Sequence, residues 1–159
     1  MIGEPQTRIS PMALKVWRIY GVLESLIAAV FVAGAIVLAF IFDGSHWVTV
    51  TAVLVYILFT YLFVYLLPMM KWKRWRYEVR EQEIELQRGI FIVKRTLVPM
   101  VRVQHVDTVQ GPILKRYGLS TITISTAATV HEIPALDMEE ADQLRNSISQ
   151  LARVAEDDV

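Results

Sequence analysis

A chain of 159 residues, 54% of them hydrophobic, with a mean hydropathy of +0.41, is too apolar for an ordinary soluble domain. Its formal net charge of zero divides unevenly: Tyr77 to Val159 holds nine Lys/Arg and thirteen Asp/Glu, and so acidic a domain lacks the basic face that nucleic-acid binding requires. The absence of cysteine excludes disulfides, thiol nucleophiles and thiolate metal sites together.

Residues 1–18 read as an N-terminal arm carrying Arg8, Lys15 and Arg18 against Glu4. Two apolar runs follow. Ser25 to Phe42 is uncharged and extends back to about Ile19 past Glu24, and Trp47 to Met70 is uncharged throughout. Because about 20 apolar residues cross a bilayer as a helix, transmembrane helices are expected over about 19–42 and 47–70. A cleaved signal peptide does not fit the first run, which starts late, lacks a small-residue cleavage site and is followed at once by a second run.

Only Asp43, Gly44, Ser45 and His46 separate the runs, so the helices form an antiparallel hairpin. Lys and Arg lie outside both its ends and are absent from its turn. The positive-inside rule therefore places the N- and C-termini of this multi-pass chain in the cytoplasm. Trp17, Tyr20, Trp47, Trp72 and Trp75 mark the interfaces.

Ser25, Ala28, Ala29, Ala35 and Ala39 fall on one side of the first helix, a small-residue stripe suited to close helix packing. Glu24 lies at its edge. An intramembrane carboxylate is a candidate for an ion or proton path, whereas one near a helix end can reach the interface and meet Arg18 or the basic cluster. That cluster, Lys71, Lys73, Arg74 and Arg76, occupies a juxtamembrane segment at 71–76 and is placed to contact anionic lipid.

Residues 77–155 change to short period-two segments. Ile84 and Leu86 alternate with Glu83, Glu85 and Gln87, which predicts a strand with a solvated acidic face, turning at Arg88-Gly89. Ile90 to Val93 open the next strand, which runs towards Pro99, and Val101 and Val103 alternate with Arg102 and Gln104. Pro112 to Tyr117 is expected to form a helical turn. Strands are expected around Ile122 and Ile124 and from Thr129 to Ala135. Asp137 and Glu140 have capping-box spacing before an apolar stripe of Ala141, Leu144, Ile148, Leu151 and Ala155, which predicts an amphipathic helix closing the sheet. An acidic tail, 156–159, should fray.

The fold class expected is thus a two-helix membrane hairpin followed by an antiparallel β barrel or sandwich of pleckstrin-homology (PH) type with a C-terminal capping helix. Particular residues strengthen this: Tyr77, Leu86 to Gly89, Pro99, Arg102-Val103-Gln104, Gly111-Pro112, Arg116, Gly118-Leu119, Ile122, Ile124, Thr126-Ala127 and Ile133. In this order and behind a hairpin, they resemble the YdbS-like membrane proteins that carry a bacterial PH-like domain. Ala128-Thr129 departs from the small, Gly-containing stretch usual in that family. The resemblance implies a domain anchored in a bacterial cell (inner) membrane without established catalytic residues, often found beside a larger membrane protein with several such domains, with some members linked to envelope stress and resistance to membrane-active peptides.

The residues themselves offer no catalytic or metal-binding constellation. His46, His105 and His131 are scattered without ligand spacing, and no phosphate loop or nucleophile elbow appears. No enzyme activity and no cofactor are expected. Pro99, Arg102, Gln104, Gly111, Pro112, Arg116 and Gly118 are candidates for structural or binding roles in the PH-like domain. The leading expectation is a scaffold that binds a protein partner, either another copy or a larger PH-domain membrane protein. Recognition of lipid or a small amphiphile is the alternative, and an ion path through Glu24 a further one.

Overall fold

The computed structural model describes residues 4–157, and the chain divides into two compact units. One runs from Trp17 to Met70; the other combines the chain up to Val16 with everything from Lys71 onward.

The first unit is the hairpin. Helix α1 spans Met12–Ile41. Its partner begins as α2, His46–Tyr61, passes through a π-helical turn at Leu62–Leu66 and continues as α3, Leu67–Arg74. The two rods contain 30 and 29 residues, about 45 Å each at 1.5 Å per residue, which exceeds a hydrocarbon core of about 30 Å. Large apolar side chains such as Ile27, Phe31, Leu54 and Leu58 are exposed along both, as lipid-facing surfaces require. At the connection, Gly44 N–H donates to Ala39 C=O at 2.7 Å and Asp43 takes a φ of 51°.

The second unit is a sandwich of two antiparallel sheets. Strands β1 (Thr7–Arg8), β2 (Arg76–Val79), β3 (Glu83–Arg88) and β4 (Lys94–Pro99) form one sheet in that order. Strands β5 (Val103–Val109), β6 (Leu119–Thr126) and β7 (Val130–Asp137) form the other. No pairing joins β4 to β5 among the described residues, so the domain is an open sandwich rather than a closed barrel. A short helix α4 (Pro112–Arg116) links β5 to β6. Helix α5 (Met138–Asp157) packs on β5, β6, β7 and a 3₁₀ turn at Met100–Arg102.

Period-two alternation explains the core. Ile84, Leu86 and Val98 enter from the first sheet; Leu119, Ile122, Ile124 and Ile133 enter from the second; Ala141 and Ile148 close the core from α5, each of these side chains at most 3% exposed. A bulge between Ser120 and Ile122 leaves two residues of β7 opposite one of β6, and Ala135 there adopts a φ of 51°.

Several local expectations are corrected. The arm drawn at 1–18 is part of two elements: Thr7 and Arg8 pair with Tyr77 and Arg76, and α1 starts at Met12. Trp72 Nε1–H donates to Ser10 C=O at 3.1 Å, and Ser10 Oγ–H donates to Asp137 Oδ1 at 3.1 Å, which holds the arm to this unit. The segment 71–76 is likewise divided between α3 and β2. Ile90 to Val93 form the hairpin loop before β4, since the Arg88–Lys94 pairing closes the ladder ahead of them. Val101 and Arg102 lie in the 3₁₀ turn after Pro99, so extended backbone resumes only at Val103.

Glu85 does not face solvent. It is 5% exposed, and Arg80 folds back from the β2–β3 turn to meet Glu78, Glu83 and Glu85 at 3.2, 2.9 and 3.1 Å. The box carboxylates at the start of α5 serve tertiary contacts, Asp137 with Ser10 and Glu140 with Tyr77. Glu156 continues α5, while Asp158 and Val159 of the expected tail, like residues 1–3 of the arm, lie outside the described residues.

Candidate functional site

The β4 edge is unpaired on the side away from β3, and beside it opens a cavity of about 570 Å³. Its walls come from β4 (Thr96 to Pro99), from Val101, Arg102 and Gln104, and from the β6–β7 turn with His131. Pro99, Arg102 and Gln104 are thus brought to one place. The turn supplying the far wall is the stretch that departs from the family pattern, and hydroxyls do the closing there. Thr126 Oγ–H donates to Thr129 C=O at 2.8 Å, and Thr129 N–H donates back to Thr126 Oγ1 at 3.1 Å. Thr129 Oγ1 also lies 2.9 Å from His131 Nε2.

Burial, then the positive charges of Arg88 and Lys94, hold His131 below the ordinary imidazole range, so it is neutral at physiological pH. Thr96 Oγ1, on the same wall, is buried without a hydrogen-bond partner. The cavity therefore offers an apolar surface, an unpaired strand edge, one guanidinium and a neutral imidazole. That suits recognition of polar backbone flanked by apolar groups. Among the described residues, no three His, Cys, Asp or Glu side chains gather to hold a metal ion.

The other candidates lie elsewhere. Gly111 precedes α4, Pro112 opens it, Arg116 ends it and Gly118 follows, its N–H bonded to Lys115 C=O at 3.1 Å. These four shape the β5–β6 connection and do not reach the cavity. Lys71, Lys73 and Arg74 occupy the exposed last turn of α3, where cations complement the helix dipole. Arg76 sits in β2, 3.8 Å from the exposed Glu4.

In the hairpin, Ser25 is buried and within hydrogen-bond reach of Tyr56 Oη at 3.1 Å and Thr60 Oγ1 at 2.9 Å. Ala28, Ala29 and Ala39 are half-buried and Ala35 is exposed. Glu24 is exposed, and Arg18 lies over the Tyr65 ring at 5.4 Å, forming no ion pair with Glu24. Sequence reasoning missed Gly21, whose backbone approaches Phe63 and Val64 so closely that a Cβ would collide with the Phe63 carbonyl oxygen. The π-helical turn at Leu62–Leu66 coincides with that approach.

Tyr77 is the most perturbed titratable group of the sandwich. It is 3% exposed and donates its hydroxyl proton to Glu140 Oε1 at 2.8 Å. Burial first, then this hydrogen bond and the charge of Glu140, push the phenol well above its ordinary value. The unfolded chain releases this proton near pH 10 while the folded chain keeps it. Stability should therefore fall above about pH 10, by about 1.4 kcal/mol per pH unit. Alkaline unfolding of the full chain in micelles, followed by near-UV circular dichroism, should show this slope, and Tyr77→Phe should flatten it. An equal slope in that variant would exclude Tyr77 as its source.

A PH-type sandwich behind two membrane-spanning helices defines a class, and comparison with known proteins agrees. The family model described as Bacterial PH domain matches residues 18–152, and the chain belongs to that family. It is 53% identical over 159 residues, the whole of both chains, to the UPF0699 transmembrane protein YdbS of Bacillus subtilis (strain 168). It is also 26% identical over 93 residues to the UPF0699 transmembrane protein YdbT of the same organism, covering 55% of this chain and 19% of YdbT. No solved structure matches. The chain is thus a membrane protein with two transmembrane helices and a bacterial PH domain.

Proposed function

We propose that this chain is a non-catalytic, membrane-anchored module that binds an extended segment of a protein partner along its open β4 edge. The observation that carries this reading is the unpaired edge beside a cavity of about 570 Å³. An unpaired strand offers a row of backbone donors and acceptors, and an incoming strand satisfies them while neighbouring pockets read its side chains. Two spans put both ends of the chain on one side of the membrane. The basic last turn of α3, with no Lys or Arg between Asp43 and His46, supports the cytoplasm as that side by the positive-inside rule.

The partner proposed is another membrane protein bearing PH domains or a second copy of this chain, and response to membrane-active peptides is the physiological setting. Affinity purification from gently solubilised membranes tests the reading. The native chain should retain a stoichiometric partner or itself. Ala127→Trp, which fills the cavity from its exposed turn, should weaken retention about tenfold or more, or about 1.4 kcal/mol. A native chain that is monomeric and partnerless would contradict it.

A further inference from the structure

We propose that the β3–β4 hairpin tip is an additional membrane contact, in which Phe91 and Ile92 enter a bilayer surface whose anionic phospholipid headgroups are held by Arg88 and Lys94. Phe91 and Ile92 are each 84% exposed, more than any other large apolar side chain among the described residues, those of the membrane spans included. Gly89 makes the projection possible. Its φ is +127°, and a Cβ there would collide with the Ile92 carbonyl oxygen, so the chain folds tightly on itself and presents the two apolar residues outward.

The base of the tip is charged in a way that folding alone does not reward. Arg88 and Lys94 are directly opposite across the ladder, and like charges so placed repel. The two other like-charged pairs in this sheet are relieved by neighbours: Glu78 opposite Glu85 is neutralised by Arg80, and Arg8 opposite Arg76 is eased by the Trp72 ring under Arg8 and by Glu4 beside Arg76. Arg88 and Lys94 form no ion pair with any carboxylate among the described residues, and their field depresses the basicity of His131. A cavity of about 520 Å³ lies beside them, walled also by Ile90, Trp75 and Lys71, with Glu132 its acidic member.

Apolar residues beyond a basic collar complement an anionic bilayer, where insertion and headgroup attraction act together. The second span runs into this unit at Lys71 without a linker, so chain connectivity keeps the unit within reach of lipid, and a weak contact suffices at such effective concentration. A soluble partner would need its own acidic apolar groove to match.

The inference is independent of the β4-edge reading. Because the chain has no cysteine, Val93→Cys gives a unique attachment point for a fluorophore while Phe91 and Ile92 stay intact. The full chain is reconstituted in vesicles of phosphatidylglycerol with phosphatidylcholine, or of phosphatidylcholine alone. In the anionic vesicles, acrylamide quenching at position 93 should fall roughly fivefold relative to a label at Asn146→Cys, and brominated acyl chains should quench it, as for a group below the headgroups. Arg88→Glu with Lys94→Glu, or Phe91→Ser with Ile92→Ser, should return the label to water. A label that stays aqueous in both vesicles overturns the proposal. So does one shielded from acrylamide but untouched by brominated lipid, which indicates protein contact. Burial in both lipid compositions alike overturns the role given to the two cations.

Discussion

Replacing Ile148 by Asp is expected to unfold the PH sandwich while leaving the hairpin in the membrane. Ile148 is fully buried on the inner face of α5, where that helix packs on β5, β6 and the Met100–Arg102 turn. A carboxylate there has lost water without gaining a partner, and the apolar contacts of isoleucine are lost with it. Together these should exceed about 4 kcal/mol, a large share of the stability of a small domain. Protease treatment of the full chain in micelles, with fragments identified by mass, should show cleavage throughout β2 to α5. The spans should remain in the membrane fraction of cells, because their insertion depends on their own apolar surface. An unchanged cleavage pattern would mean that α5 is not part of the core.

The second large effect is expected at Gly21. Its Cα hydrogen faces the Phe63 carbonyl oxygen, with Val64 Cα 3.1 Å from where a Cβ would stand. Gly21→Leu must push the helices apart or twist them, and overpacking of this kind costs about 1–3 kcal/mol. Ser25→Ala should cost less, about 0.6 kcal/mol for each interhelical hydrogen bond to Tyr56 or Thr60. An SDS titration of the protein in mixed micelles should therefore move to a lower midpoint for Gly21→Leu than for Ser25→Ala. If Gly21→Leu matched the native midpoint, the close approach would not hold the hairpin.

The large features were legible because their signals are long. Runs of uncharged apolar residues can be read as spans without knowledge of tertiary structure, and Ile122, Ile124, Ile84 and Leu86 declare their face by alternation. The short features were not. A two-residue strand such as Thr7–Arg8 has no period to detect, so its place beside β2 depends on a contact with residues beyond both membrane helices in sequence. Ile90 to Val93 have strand-forming side chains, yet the turn at Gly89 overrides that propensity. Glu85 looked solvated because Arg80, which covers it, is reached through a turn. Arg102 and Gln104 drew notice as polar residues near Pro99, but the opposite wall of their cavity, Thr126 to Thr129 and His131, is joined to them only by folding.

An acidic domain can still present a basic tip. The deficit of positive charge after Tyr77 is an average, and the fold concentrates Arg88 and Lys94 at one hairpin while Arg80 is consumed by three carboxylates. Charge totals limit what a domain does as a whole; they do not describe its tip.

By the positive-inside rule, the two spans should hold the PH sandwich on the cytoplasmic side. Cysteine labelling in intact cells tests it most directly, since any introduced thiol is unique. Ser45→Cys, in the turn between α1 and α2, should react with a membrane-impermeant maleimide added outside. Asn146→Cys, exposed on α5, should react only after the membrane is permeabilised. The reverse pattern, or labelling of both positions from outside, would mean that the sandwich does not lie on the cytoplasmic side.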